Sequence, residues 1–394
     1  VPWFGKPTFV LFTAVQGLAL LVDAGVGASR SDRSRARLAF AAGGVIGGAC
    51  MVALLCVYGD PVAYVRIQLT DVPNFYRFIW PRAPSDIFSL PWAATQAIFA
   101  LSGAAALLAL IALGQMPLRL LPIALLPVVG LVSVIVQAKG FPYHYHPVVA
   151  GFHLQWLAFA AWVTERARVA QRRLAFARIL PVAVAVVVTF RVATALEDSP
   201  HVRATWMVWA STIADRTTRD YFARFPERDY FPYEMRQAAE YLRTHTKDDD
   251  RVQIYGMDPY VLFLAARLSA TPYIYAYDLD VDAGLAGSTG GAPNAAQAQR
   301  IRGIAAADDA DLLTRLEAHA PAAFVFFDGA PLMTEFDAWD DFSSHCDASA
   351  PWVHEHYREA ARFGHDHVWL RNDLVPPGEA PAEAAPDREE EKPD

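Results

Sequence analysis

Between Leu118 and Pro147 an apolar run of about 20 residues, the length of one membrane-crossing helix, ends abruptly in Gln137-Ala-Lys139-Gly-Phe-Pro-Tyr143-His144-Tyr145-His146-Pro147. A second apolar run follows at once. A lysine, two histidines and two tyrosines are thereby massed where a membrane helix would meet water, a placement that costs desolvation energy unless they reach the interface or hold an anion. Lys139 supplies a point positive charge, and His144 supplies a hydrogen-bond donor that titrates near neutrality. Together they suit a lipid phosphate. Tyr143 and Tyr145 suit anchoring at headgroup level or stacking on a sugar, and His146 stands beside them. The alternative is an interfacial belt in which Lys139 snorkels and no ligand binds. Pro142 and Pro147 stiffen a loop too short to need so many polar groups, which favours the ligand.

Other polar residues fall inside apolar runs. His153 and Gln155 follow roughly two turns on from His146 and read as hydrogen-bonding glue between helices or as cavity lining. Arg191 is a further phosphate contact or a snorkelling residue, and Asp23 reads as structural. Asp60, Asp71 and Asp86 are the carboxylates available as a base between the second and third apolar runs; each reads better as a turn or cap residue. In the second half Gly256 follows a strand-like segment, but no G-x-G-x-x-G or P-loop accompanies it, which argues against a Rossmann cofactor site. His354, His356, His365 and His367 raise the question of metal; their H-x-H pairs fit an exposed strand and loop better.

These groups must be positioned by two unlike halves. The chain has 394 residues, 54% of them hydrophobic, and a formal net charge of −8. Residues 1–197 supply six apolar runs, 7–27, 38–57, 91–113, 118–138, 147–164 and 179–197, several of them apolar on all faces. The expected fold is therefore a polytopic α-helical membrane domain of about six transmembrane helices over 1–197, followed by a soluble α/β domain over 198–375. Arg30, Arg33, Arg35 and Arg37, then Arg119, then Arg166, Arg168, Arg172, Arg173 and Arg178 fall on one side of such a bundle. The positive-inside rule makes that side cytoplasmic. Residues 58–90, 139–146 and the second half then lie outside. Loop 58–90, with Tyr64, Arg66, Arg77, Trp80 and Arg82, reads either as a helix along the membrane surface or as a packing loop.

Strand-like and helical periods alternate beyond 232: a helix at Tyr233–His245, a strand at Arg251–Tyr255, a helix at Pro259–Leu268 and a strand at Pro272–Ala276. A helix at Asp309–Ala320 and strands at Ala323–Phe327 and His367–Arg371 follow. This order implies a mostly parallel sheet. Asp282–Ala298 reads as a flexible loop, and the Pro/Ala/Glu stretch 376–394 as a disordered acidic tail. Three cysteines give no disulfide framework. The start at Val1-Pro2-Trp3 suggests entry into a larger protein.

Gln137-Ala-Lys139-Gly140-Phe-Pro-Tyr143-His144 resembles a Q-x-K-G-x-x-Y-H segment at an outer helix end in bacterial GT-C glycosyltransferases, relatives of protein O-mannosyltransferases and the lipid A aminoarabinose transferase. Met235–Thr246 continuing to Pro259 and Arg267 is similar to the start of their soluble domain, and Leu312–Glu317 with Ala323–Asp328 fits the same pattern. The resemblance covers about residues 90–375 and is to the C-terminal portion of such enzymes. It implies transfer of a sugar from a polyprenyl-phosphate donor to an acceptor glycan, lipid or protein at the outer face of a bacterial inner membrane, with no role for nucleic acid. In that family an acid in the first external loop is the base, and cationic groups, sometimes with a divalent metal ion, hold the leaving phosphate. The resemblance puts Lys139, His144, Tyr143, His146 and Arg191 on the substrate and leaves the base outside this chain. Two rival expectations remain: a non-catalytic membrane protein whose outer domain binds a glycan or partner, and a lipid-linked-sugar transporter, which would show internal repeats.

Overall fold

The computed structural model describes residues 10–23, 30–170, 210–212, 218, 232–257, 259–375 and 382–383. The chain divides into two compact units, Val1–Thr194 with Gly287–Ala292, and Ala195–Ala286 with Pro293–Asp394.

In the first unit, α1 (Val10–Asp23) and α2 (Arg30–Tyr58) precede the short α3 (Pro61–Arg66), which Asp60 caps by accepting from the Val62 and Ala63 amides. Single turns at Ile67–Asp71, Val72–Asn74, Tyr76–Phe78 and Pro84–Ile87 lead to α4 (Pro91–Ala112), α5 (Leu121–Gln137) and α6 (His146–Ala170). Among the described residues, four segments are long and apolar enough to cross a membrane: Ser34–Val57, Pro91–Ala112, Leu118–Gln137 and Pro142–Arg166. Six spans were expected. The first run forms a helix of only 14 residues within the described part. At about 1.5 Å per residue it falls short of a bilayer core. The sixth run, with Arg191, lies outside the described residues.

Without a water-driven hydrophobic force inside a bilayer, helices must pack through close backbone approach. Two glycines provide it between α5 and α6. A Cβ on Gly130 would stand 2.9 Å from Val148 Cγ2, and one on Gly151 would stand 2.7 Å from the Pro127 nitrogen. Gly103 of α4 opens space for Gln155 of α6, whose oxygen occupies the place of a Cβ there. The Gln155 amide donates to the Ala124 carbonyl at 3.1 Å. This is next to the Ile123 carbonyl that Pro127 leaves without its helical donor. Gln155 therefore joins three helices, as the glue reading expected.

The second unit holds α7 (Pro232–His245), β1 (Arg251–Tyr255), α8 (Tyr260–Ala265), β2 (Leu268–Ser269), α9 (Ala295–Ala318), β3 (Ala323–Phe327), α10 (Ala338–His345), α11 (Ser349–His356), β4 (Tyr357–Phe363), β5 (Asp366–Arg371) and β6 (Ala382–Glu383). The strand order is β2-β1-β3-β5-β4-β6. Alternate strand residues feed two cores. Val252, Ile254, Ala323, Val325 and Phe327 pack with α7 and α8, whereas Tyr255, Phe324 and Phe326 pack with Leu312, Leu316, Phe342 and Val353 of α9, α10 and α11.

The sheet is mixed rather than mostly parallel. β1 pairs in parallel with β2 and β3, but β5 runs antiparallel to both β3 and β4. The cause is local: Gly364 (φ 59°) and His365 close a two-residue turn, which joins only antiparallel strands. β4 had no counterpart in the sequence reading. Pro272–Ala276 is not a strand, and Leu268–Ser269 takes the edge beside β1. Within the stretch expected to be a disordered tail, Ala382–Glu383 pair with Ala361–Arg362.

Candidate functional site

The hairpin mouth is built by two successive reversals. Ala138 (φ 52°) ends α5 in the left-handed region and Gly140 (φ 65°) turns the chain again. Pro142–Tyr145 then form one 3-10 turn into α6. The loop before α4 closes on this turn. The Arg82 amide donates to the Ala138 carbonyl at 2.6 Å. A Cβ on Gly140 would lie 3.4 Å from Ile87 and 3.8 Å from Arg82 Cδ. Tyr145 is buried, edge-on to Trp92 at 4.8 Å.

Lys139 is directed inward. Its ammonium donates to the Tyr76 carbonyl at 3.0 Å, the Arg77 carbonyl at 3.5 Å and the Ile79 carbonyl. Burial lowers its pKa to about 8, so it remains a cation at neutral pH. His144 is buried, with its ring edge-on to Tyr143 at 4.4 Å and to Phe141 at 5.5 Å. Tyr143 and His146 are exposed, as are Arg77, Trp80 and Arg82 across the turn. Trp80 (φ 46°) is, like Ala138, a non-glycine residue in the left-handed region. Strained backbone of this kind persists only where the surroundings over-determine it. The first unit also includes Gly287–Ala292, within the segment expected to be a flexible loop. There the Gly290 amide donates to the Pro81 carbonyl at 2.9 Å, and a Cβ on Gly290 would stand 2.8 Å from that carbon.

The three carboxylates considered as a base, Asp60, Asp71 and Asp86, each have a local setting. Asp60 is the α3 cap, and Asp86 sits in the turn before α4. Asp71 is buried at 3.6 Å from Arg66; burial raises its pKa while Arg66 acts in the opposite sense. Among the described residues, no group of three or more His, Cys, Asp or Glu ligand atoms gathers at the mouth. His153 stays within its helix, its Nδ1 at 2.7 Å from the Val149 carbonyl.

The second unit carries two groups of ionisable side chains that the sequence did not single out as such. Asp328, immediately after β3, lies 2.7 Å from His367 Nε2 and 3.2 Å from Arg362, and accepts from the Ala338 amide. His367 Nδ1 faces Glu359 at 3.0 Å. Burial works against the imidazolium, yet the two carboxylates outweigh it and hold the His367 pKa at about 9.

In the other group, Asp280, Asp341 and His345 bring one ligand atom each within 4.8 Å of the others. Both carboxylates are fully buried. Asp341 accepts from the Tyr255 hydroxyl at 2.7 Å and from the Thr334 and Glu335 amides, and Asp280 accepts from the Asp282 and Thr334 amides. Burial raises the Asp280 pKa. The available signal was Asp341-x-x-x-His345, a spacing that sets both side chains on one face of a helix. His354 and His356 do not join either group: the first stacks on Trp339 and the second faces the Trp352 carbonyl. Gly256 (φ 147°) is explained by close approach, since its Cβ would stand 2.4 Å from that of Phe327.

Comparisons with protein-family models, with curated proteins and with solved structures returned no match.

Proposed function

We propose that the chain is the donor-binding part of a membrane glycosyltransferase, taking a sugar from a polyprenyl-phosphate carrier at the outer membrane face. The observation that carries this reading is the exposed set Arg77, Trp80, Arg82, Tyr143 and His146 around a locked turn at the end of two apolar helices. Guanidinium groups at that depth suit a phosphate, the aromatic rings suit a sugar or headgroup, and the apolar helices suit a polyprenyl tail. Lys139 is a positioning residue in this arrangement. Its bonds to three carbonyls hold the Arg77–Arg82 segment against the mouth, and its charge adds to the field there. His144 packs beneath Tyr143. The GT-C resemblance supports the same assignment and the bacterial inner membrane as the location. Arg35, Arg37, Arg119 and Arg166 fall at the opposite ends of the four spans, which supports a cytoplasmic side there and an outer mouth.

In nanodiscs, a radiolabelled polyprenyl-phosphate sugar is expected to bind saturably, and polyprenol lacking the phosphate is expected not to compete. Loss of one charge-assisted hydrogen bond, about 1.5–3 kcal/mol, predicts a roughly ten- to hundredfold weaker affinity for Arg82→Ala. Affinity should also fall as pH rises past about 8, because Lys139 then loses its proton. Equal competition by the phosphate-free lipid would remove phosphate recognition from the mouth.

A further inference from the structure

The two ionic groups of the second unit differ in charge balance. Around Asp328 and Glu359 stand two cations, His367 and Arg362. Around Asp280, Asp282 and Asp341 the only cationic group within ion-pair distance among the described residues is His345. Their other partners are neutral: backbone amides, the Tyr255 hydroxyl and the Thr334 hydroxyl. Buried carboxylates without a matching cation are costly, and the excess here is negative.

His345 turns its Nδ1 back onto its own helix, as His153 and His356 do, and what sets it apart is that its Nε2 is presented to carboxylates. Its Nδ1 lies 2.8 Å from the Asp341 carbonyl oxygen, which can only accept, so Nδ1 carries a proton. Ser344 Oγ lies 3.0 Å from the same nitrogen. The other ring nitrogen, Nε2, faces Asp280 Oδ1 at 3.3 Å and Asp282 Oδ2 at 3.5 Å. A lone pair aimed at two carboxylate oxygens needs a positive charge between them, either a proton or a metal ion. A proton answers to one of those oxygens; a divalent ion answers to all three carboxylates. A tetrahedral cation bound at about 2.0–2.2 Å holds its donors about 3.3–3.6 Å apart, so side-chain rotations that shift the ligand atoms by about 1 Å close the cluster from its present spread of up to 4.8 Å. Asp282 and His345 are partly exposed and give the ion its way in.

We propose that Asp280, Asp341 and His345, with Asp282 at the rim, form a site for one divalent cation of the zinc or manganese class, clamping the 276–286 segment to α10. Mixed carboxylate and imidazole donors favour those metals over magnesium or calcium, which take oxygen alone. On binding, the Nε2–H bond of the protonated imidazole breaks, its proton passes to solvent, and the nitrogen pair binds the metal. The site is independent of the donor-binding reading.

The test uses the full chain in detergent, stripped with chelator and titrated calorimetrically with zinc chloride and with manganese chloride. Expected are one saturable site, a proton released into buffer, and a melting temperature that climbs with metal concentration. His345→Ala should weaken binding at least tenfold, and Asp282→Asn should weaken it less. If His345→Ala does not fold, manganese should selectively broaden the His345 ring resonance of the unmodified protein. Absence of saturable binding at millimolar metal, undiminished binding by His345→Ala, or an unbroadened His345 resonance overturns the proposal and leaves His345 as an imidazolium lock.

Discussion

His367 is surrounded on both ring nitrogens, by Asp328 at 2.7 Å and by Glu359 at 3.0 Å, and its consequence is a slope of stability with pH. The folded-state pKa of about 9 lies above the unfolded value of about 6.5. The stabilisation is therefore fully present below about pH 6.5 and is lost as pH rises toward 9. Its size is on the order of 3 kcal/mol. Asp328 moves the other way: its pKa is lowered because bonds from His367 and Ala338 outweigh burial, so its contribution is lost as pH falls through the acid range. Urea unfolding of the second unit, followed between pH 6 and 9.5, should show a declining midpoint, and His367→Gln should flatten that decline. An equal decline in the variant would assign the slope to another group. At this scale the sequence was partly readable. Asp60 as a cap and Gln155 as interhelical glue follow from residue type and place. The pairing of Asp328 with His367 spans 39 residues and depends on a strand register that no local pattern encodes.

Among the elements, α5 and α6 are held together by what is missing from Gly130 and Gly151. A side chain at 151 would meet the backbone of Pro127, which cannot rotate away. Gly151→Leu should therefore force the helices apart and cost about 1–3 kcal/mol or more, seen as a lower melting temperature in detergent. Gly17→Leu supplies the control, since nothing lies within 4 Å of its added carbon. Equal effects from both variants would show that apolar bulk rather than helix approach decides the outcome. The apolar runs themselves were legible because length and composition suffice to identify them. The direction of β4 and β5 was not: alternation of helix and strand periods favours parallel pairing, and a short turn at Gly364–His365 reverses it.

For the whole molecule, the orientation proposed above for the four candidate spans is open to direct measurement. In a cysteine-free background, Asp32→Cys and Tyr143→Cys should react with a membrane-impermeant maleimide from opposite sides of sealed vesicles. Labelling of both from one side would refute the bundle as oriented. The sheet centre has a further consequence, for the order of folding. β1 and β3 are direct neighbours, with Val252 opposite Ala323, although about 70 residues of chain lie between them. During synthesis β1 therefore waits for its inner partner until α8, β2 and α9 have all emerged. The β4–β5 hairpin needs only its own turn and can close within microseconds of appearing. The return of β3 to β1 closes the longer loop and is expected to be slower than closure of the β4–β5 hairpin.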